Sequence, residues 1–372
     1  MSDSSASATD ARPGPLPALR WALVLGGVAL AVRLGAGLVP AWVELAYARG
    51  FYPKVAWAMR AVSGRVGVAL IELVLLALVL QAARALLGVL RGRARLSTCM
   101  ARGAAWVAGL WLVFLAVWGL NYQRPPLLEL TVWPEPERSA AALDELCAHH
   151  LRAANALRAG LAEDEQGFPA LTLPLDEMLA GMQQGYRELP ALPEELARAW
   201  AQPSTGLKTP LLGRLFSWVG ITGIFVPFTG EPCLNPTLPV VDLLFAAAHE
   251  LAHARGVARE DEANFLAWMA CVEHPDPLVR YAGELAAVRY SMNQLFLIDT
   301  ARGFERLAEL DEAVKRDWFG AVDYWMEHQG PVLEVAEEVN DTYLQAQGEE
   351  EGVESYGRMV DLLLAAQVAL AQ

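Results

Sequence analysis

The sequence predicts a mainly α membrane protein: three transmembrane helices followed by an α-rich domain that carries one small β-hairpin. Three observations lead there. Hydrophobic residues make up 54% of the 372-residue chain, charged residues 19%, and mean hydropathy is +0.26, too apolar for disorder and high for a soluble protein. Charge is divided unevenly, with 13 basic against 4 acidic residues through Arg124, a net +9, and 16 against 39 after it, a net −23. Nearly uncharged runs of spanning length occur only ahead of Arg124, whereas helical periodicity dominates after Ser139. A domain at −23 without a basic, aromatic-laced stripe repels phosphate backbones, so nucleic acid is excluded as a partner.

Residues 1–18 are rich in Ser, Ala, Asp and Pro and read as a disordered tail. Residues 19–122 form the membrane domain. Its first run, Leu19 to about Leu45, is interrupted only by Arg20, Arg33 and Glu44, and no basic start with a short apolar region and a small-residue cleavage site marks it as a signal peptide. The second, Val66 to Leu87, contains only Glu72, Gln81 and Arg84 as polar positions. The third, Ala104 to Leu120, is uncharged and offers Trp106, Trp111 and Trp118 as interfacial anchors. Glu72 sits near the start of its helix and reads as structural. The first loop, an amphipathic stretch around Trp57, holds Arg49, Lys54, Arg60 and Arg65. The second holds Arg91, Arg93, Arg95 and Arg102, and adding Arg12 and Arg20 of the tail to it puts the amino terminus inside and the large carboxy-terminal part outside.

Residues 123–372 form the second domain. Ser139 caps a periodic run from Ala140 to Ala162, and further helical stretches follow at Leu175–Leu189, Pro193–Gln202 and after Pro277. Strand character is confined to Gly223–Phe228 and Pro232–Asn235, which flank Thr229-Gly230-Glu231 and read as a hairpin, with Pro227 keeping its strand at an edge. The four cysteines, Cys99, Cys147, Cys233 and Cys271, show no framework spacing.

The chemistry is concentrated in Asp242–Arg255, which contains His249-Glu250-Leu-Ala-His253. Residues four apart share a helix face, so both imidazoles can hold one zinc ion while Glu250 serves as general base toward a zinc-activated water. Two core histidines satisfied by hydrogen bonds are the bland alternative. A third protein ligand is needed. The extended pattern HExxHxxGxxH is matched at Gly256 but not at Arg259, whose guanidinium stays protonated and cannot coordinate zinc. Gly256 ends the helix, and a second helix folding back would bring a carboxylate of its first turn beside His253. Glu262 is the expected ligand, because Glu262, Phe265, Leu266 and Met269 share a face that would point inward. Glu260 is the alternative, suited with Asp261 to an exposed first turn.

The stretches Trp118–Pro126, Pro227–Glu231, His249–His253, Glu260–Phe265, Asn340–Leu344 and Ser355–Arg358 resemble an uncharacterised bacterial membrane family, a domain of unknown function for which a gluzincin-like zinc site has been predicted. The resemblance runs from about Tyr47 to the carboxy terminus. It implies a zincin-like second domain and a metallopeptidase site at His249, Glu250, His253 and Glu262. Val226 departs from the family pattern, which carries a polar residue before Pro227.

Tyr343, Tyr356 and Arg358, in polar patches of helical segments, are candidates to stabilise an oxyanion, and the two tyrosines join Glu250 as candidate catalytic residues. His274 and His328, without a partner at ligand spacing, read as structural. The expected function is a membrane-anchored zinc metallopeptidase that hydrolyses peptide or protein substrates, contacts membrane lipid, and sits in the bacterial cytoplasmic membrane with its catalytic domain outside. A non-catalytic zinc scaffold or sensor is the alternative.

Overall fold

The computed structural model describes residues 14–190, 192–347 and 358–370. The expected tail lies outside the described residues through Pro13, and the next residues already lead into helix α1 (Leu16–Gly37). This helix ends well before Leu45, because Pro40 has no N–H to donate and its ring disfavours a helical residue ahead of it. A short turn, Pro40–Trp42, and a π-helical segment, Val43–Phe51, follow, and then α2 (Tyr52–Ser63). Glu44 is therefore not part of a span. It is buried, and its carboxylate accepts from Arg49 Nε at 2.7 Å and Arg124 Nε at 2.6 Å.

The other two apolar runs form α3 (Leu70–Leu90) and α4 (Leu96–Val117). Helix α4 starts eight residues ahead of the expected Ala104, since no breaker separates Leu96 from it, and Arg102 lies within it. All three helices are long and apolar enough to cross a membrane. Helices α1 and α4 pack together where glycines let them approach: a Cβ at Gly26 would lie 3.9 Å from Ala108 Cβ, and one at Gly109 3.7 Å from Leu25. Helix α3 has no buried residue and is joined to the rest at its first turn, where the buried Glu231 accepts from Leu70 N at 3.0 Å and Ile71 N at 3.2 Å. These are orphan donors of a helix start, and the carboxylate satisfies them while complementing the helix dipole.

The second domain is helical around one sheet of two strands. Ser139 Oγ accepts from Ala142 N at 3.2 Å and caps α5 (Ala140–Arg158) as expected. The hairpin forms from β1 (Gly223–Val226) and β2 (Glu231–Leu234), with Val226 opposite Glu231 and Gly223 opposite Leu234. Pro227 lies in the turn rather than in the strand, and Gly230, at φ +65°, closes it with Gly230 N donating to Val226 O at 2.8 Å. Then come α6 (Val240–Ala254), α7 (Glu260–Val272) and α8 (Pro277–Ile298). Helix α6 is buried almost all round, and its Ala246-Ala247-Ala248 stretch lets α7, α8 and the hairpin close on it. Leu244 and Leu251 in it are fully buried, sites where truncation to Ala costs about 2–5 kcal/mol. Helices α9 (Pro331–Gln347) and α10 (Met359–Leu370) end the described chain.

Candidate metal centre

Helix α6 carries His249 and His253 on one face, their ring centroids 4.5 Å apart. It ends as the glycine predicts. Gly256 adopts φ +89°, Gly256 N donates to His253 O at 2.9 Å, and Val257 N to Ala252 O at 3.3 Å, so the chain reverses within three residues. The reversal places the carbonyl of Val257 2.7 Å from His253 Nδ1. Helix α7 then runs back along α6 and sets Asn264 Oδ1 2.8 Å from His249 Nδ1. Both Nδ1 atoms face oxygen acceptors to which they can donate, which turns both Nε2 atoms inward as the candidate ligand atoms.

The carboxylate between the two Nε2 atoms belongs to Glu260, not Glu262. Glu260 Oε2 lies 3.2 Å from His249 Nε2 and 3.5 Å from His253 Nε2. Donor atoms of His249, His253 and Glu260 all lie within 4.8 Å of one another, and among the described residues this is the one group of three or more His, Cys, Asp or Glu drawn together in this way. Glu262 is turned elsewhere: it accepts from Leu127 N at 2.7 Å and lies 3.8 Å from Arg259 Nε. Two positions along a helix are about 200° apart, so one of the two glutamates must face away from α6. Burial did not distinguish them, because α7 is buried on both faces, including Phe265, Leu266 and Met269. The discriminating signal was the pair Glu260 and Asn264, four apart and therefore on one face.

Electrostatics tie the three groups together. Burial works against the charge on Glu260, yet the two imidazoles hold its pKa well below the carboxylate range. Burial likewise opposes the charged form of His253, and Glu260 outweighs it, raising His253 to about 9. The donor set, two neutral-capable imidazole nitrogens and one carboxylate, with both second nitrogens already held, fits zinc.

Glu250 lies beside this cluster, wholly inside the protein. Burial raises its pKa to about 7, and its Oε2 has no hydrogen-bond partner among protein atoms. Strand β1 passes directly over it: a Cβ at Gly223 would come within 2.6 Å of Glu250 Cγ and 2.8 Å of Oε1, so only glycine leaves the carboxylate this room.

Of the expected tyrosines, Tyr343 is 40% exposed and places its hydroxyl 3.4 Å from that of Tyr122. Desolvation of that hydroxyl and the charge of Glu260 raise its pKa to about 12. Tyr356 lies outside the described residues. Arg358 Nε lies 3.8 Å from Asp261, next to Glu260. His274 is buried with Nε2 3.2 Å from the carbonyl of Gly181, and His328 holds the carbonyl of Tyr324 at 2.7 Å, the structural roles expected of them. Tyr290 of α8 was not anticipated. Burial first, and the charge of Glu260 after it, raise its pKa, but a tyrosine in mid-helix carries no sequence signal of such a place.

The carbonyl end of α6 is held from the membrane side. Trp118 Nε1 donates to His253 O at 3.2 Å, Tyr52 OH to Ala254 O at 3.1 Å, and Arg124 Nη1 to Gly256 O at 3.0 Å. Arg255, stacked on Tyr186 at 3.8 Å and donating to Trp200 O at 2.7 Å, adds a cation where the helix dipole favours one. Orphan carbonyls of a helix end are thus satisfied by Trp118 at the end of α4, Tyr52 at the start of α2 and Arg124 beyond α4, which ties the backbone at His253 to the amino-terminal part of the chain.

No curated protein and no solved structure matches the chain. A family of proteins of unknown function, DUF3810, matches residues 47–364, from within the π-helical segment into α10 and with every residue of the His249–His253–Glu260 cluster inside the match. The chain belongs to that family.

Proposed function

We propose that the chain is a membrane-anchored, gluzincin-like zinc metallopeptidase in which His249, His253 and Glu260 hold the metal and Glu250 is the general base. One observation carries this reading: two Nε2 atoms and a carboxylate converge, with both Nδ1 atoms already engaged, beside a buried glutamate whose Oε2 is unpartnered. Zinc bound by this set would supply Lewis acidity toward a peptide carbonyl and lower the pKa of water. Glu250, poised near neutrality by burial, takes the proton from the attacking water and delivers it to the leaving amine. Strand β1, paired only with β2 among the described residues, offers its other edge to an extended peptide by main-chain pairing. Tyr343 donates its hydroxyl to the developing oxyanion.

Among the described residues the cluster has three members rather than four, which favours catalysis over a closed structural zinc site. The Gly37, Leu70 and Val117 ends of the three apolar helices lie toward the second domain, so the arginines at 91, 93 and 95 lie at the opposite ends, together with the amino end of α1. The positive-inside tendency then directs the catalytic domain outward from the cytoplasmic membrane.

The test is zinc content beside cleavage of a broad peptide library by the parent and Glu250→Gln. The variant is expected to keep its zinc and lose cleavage by roughly two to four powers of ten, the contribution of a general base. Unchanged cleavage refutes the mechanism, and a zinc-loaded parent inert across the library favours the scaffold.

A further inference from the structure

We infer that the segment Leu211–Val219 is a membrane-interface anchor, seated in the headgroup boundary of the bilayer that α3 enters. The segment is a 3₁₀-helical stretch with two unlike faces. Gly213 and Ser217 are buried against the hairpin side: a Cβ at Gly213 would lie 3.0 Å from Leu234 O, and Ser217 Oγ accepts from Asn235 Nδ2 at 2.9 Å. The other face is apolar and exposed, with Leu211 84%, Leu212 48%, Leu215 57% and Trp218 51% accessible, and it carries the exposed Arg214. Leu212, Leu215 and Trp218 recur every third residue and so share one face, with the exposed Leu211 at its start and the Trp218 ring 5.0 Å from that of His328; a soluble surface does not ordinarily gather such a row within nine residues. An interfacial element does, with Trp and a cation at the headgroup level.

What covers this face follows from where it is attached. Leu212 N donates to Glu72 Oε1 at 2.8 Å, and Glu72 is in the first turn of α3, about 3 Å along it from Leu70. Lys208 Nζ donates to Val66 O just ahead of that helix. From Leu73 onward α3 exposes Leu73, Val74, Leu75 and Leu76 in succession, the circumference of a helix in lipid. The apolar face of Leu211–Val219 is thus continuous with the lipid-facing surface of α3 at its entry level. The hairpin that follows is held at the same boundary, since Glu231 caps α3 and the ring of Phe228 lies 6.5 Å from that of Phe114 in α4. If the peptidase reading holds, on which this clause alone rests, the edge of β1 beside Glu250 meets the membrane-proximal stretch of a membrane-anchored substrate.

The test uses the full chain in vesicles of phosphatidylcholine with phosphatidylglycerol. In a Cys99→Ser background, where the three remaining cysteines are buried, single cysteines are placed at the exposed positions Leu211, Leu215, Leu80 of α3 as the lipid reference, and Glu312 as the water reference. Each is labelled with an environment-sensitive fluorophore and quenched by doxyl-labelled lipid or by iodide. Leu211→Cys and Leu215→Cys are expected to follow Leu80→Cys, quenched by the lipid probe and several-fold less by iodide than Glu312→Cys. Labels at 211 and 215 that follow Glu312→Cys overturn the inference. So do labels shielded from both quenchers, which would mean a protein partner on this face, and so does a Leu80 label untouched by the lipid probe, which would remove the spanning assignment itself. Because no reading depends on cleavage, failure of the peptidase proposal leaves this result unaffected.

Discussion

Exchanging the carboxylate for an amide at Glu260 and, separately, at Glu262 asks which of two glutamates holds the metal. Glu260 Oε2 stands 3.2 and 3.5 Å from the two Nε2 atoms, so Glu260→Gln removes the one anion in the cluster. Losing even an outer partner of a metal ligand weakens metal binding roughly 10- to 100-fold. Loss of the ligand itself is expected to raise the zinc Kd by at least about 100-fold, or about 2.7 kcal/mol. Glu262 instead accepts from Leu127 N at 2.7 Å, and burial with the charge of Asp261 raises its pKa. A glutamine oxygen can still accept that hydrogen bond, so Glu262→Gln should leave zinc affinity close to that of the parent. The assay is competition for zinc against a chelator of known affinity, on detergent-purified full chain. Zinc affinity that falls in Glu262→Gln and holds in Glu260→Gln would refute the assignment of the cluster.

Two further outcomes follow from particular contacts. Gly223→Ala forces a Cβ to within 2.6 Å of Glu250 Cγ, and moving a reacting group by about 1 Å costs about 100-fold; cleavage should fall by that order with zinc content unchanged, and full cleavage would show that Glu250 is not confined by β1. Asp144 accepts from both Arg306 and Arg302, which hold its pKa well below the carboxylate range. Because the folded value is depressed, its stabilisation is complete above the unfolded value of about 3.9 and is lost as pH falls from there toward the folded one. The Tm of the parent should exceed that of Asp144→Asn at pH 7, and the difference should shrink at about pH 3; a difference that grows on acidification contradicts the sign.

Much of the architecture was legible in the residues themselves. A run of about 20 apolar residues can satisfy its backbone in lipid only as a helix, so α1, α3 and α4 are encoded locally, as is the hairpin around Thr229-Gly230, whose glycine needs φ +65°. The pair His249 and His253 faces one way because four residues make about one helical turn, and Gly256 stops the helix because it tolerates φ +89°. Where a rule was local but incomplete, the boundary moved: Pro40 ended α1 before Glu44 and released that carboxylate to pair with Arg49 and Arg124.

Only the tertiary structure decided the third member of the cluster. Glu260 and Glu262 are the same residue type, two positions apart and equally buried, each 7% exposed; the amphipathic pattern favours Glu262, whereas the fold sets Glu260 between the two imidazoles. The angle at which α7 returns along α6 chooses between them, and that angle is set by packing on both sides of the helix. The same holds for groups that arrive from far along the chain: Tyr52, Trp118 and Arg124 reach the carbonyl end of α6 across more than 130 residues, and Tyr343 reaches Tyr122 across 221. Periodicity reports which face of a segment is apolar; which distant donor meets that face is settled when the segments pack, because a buried carbonyl must find whatever partner the fold brings to it.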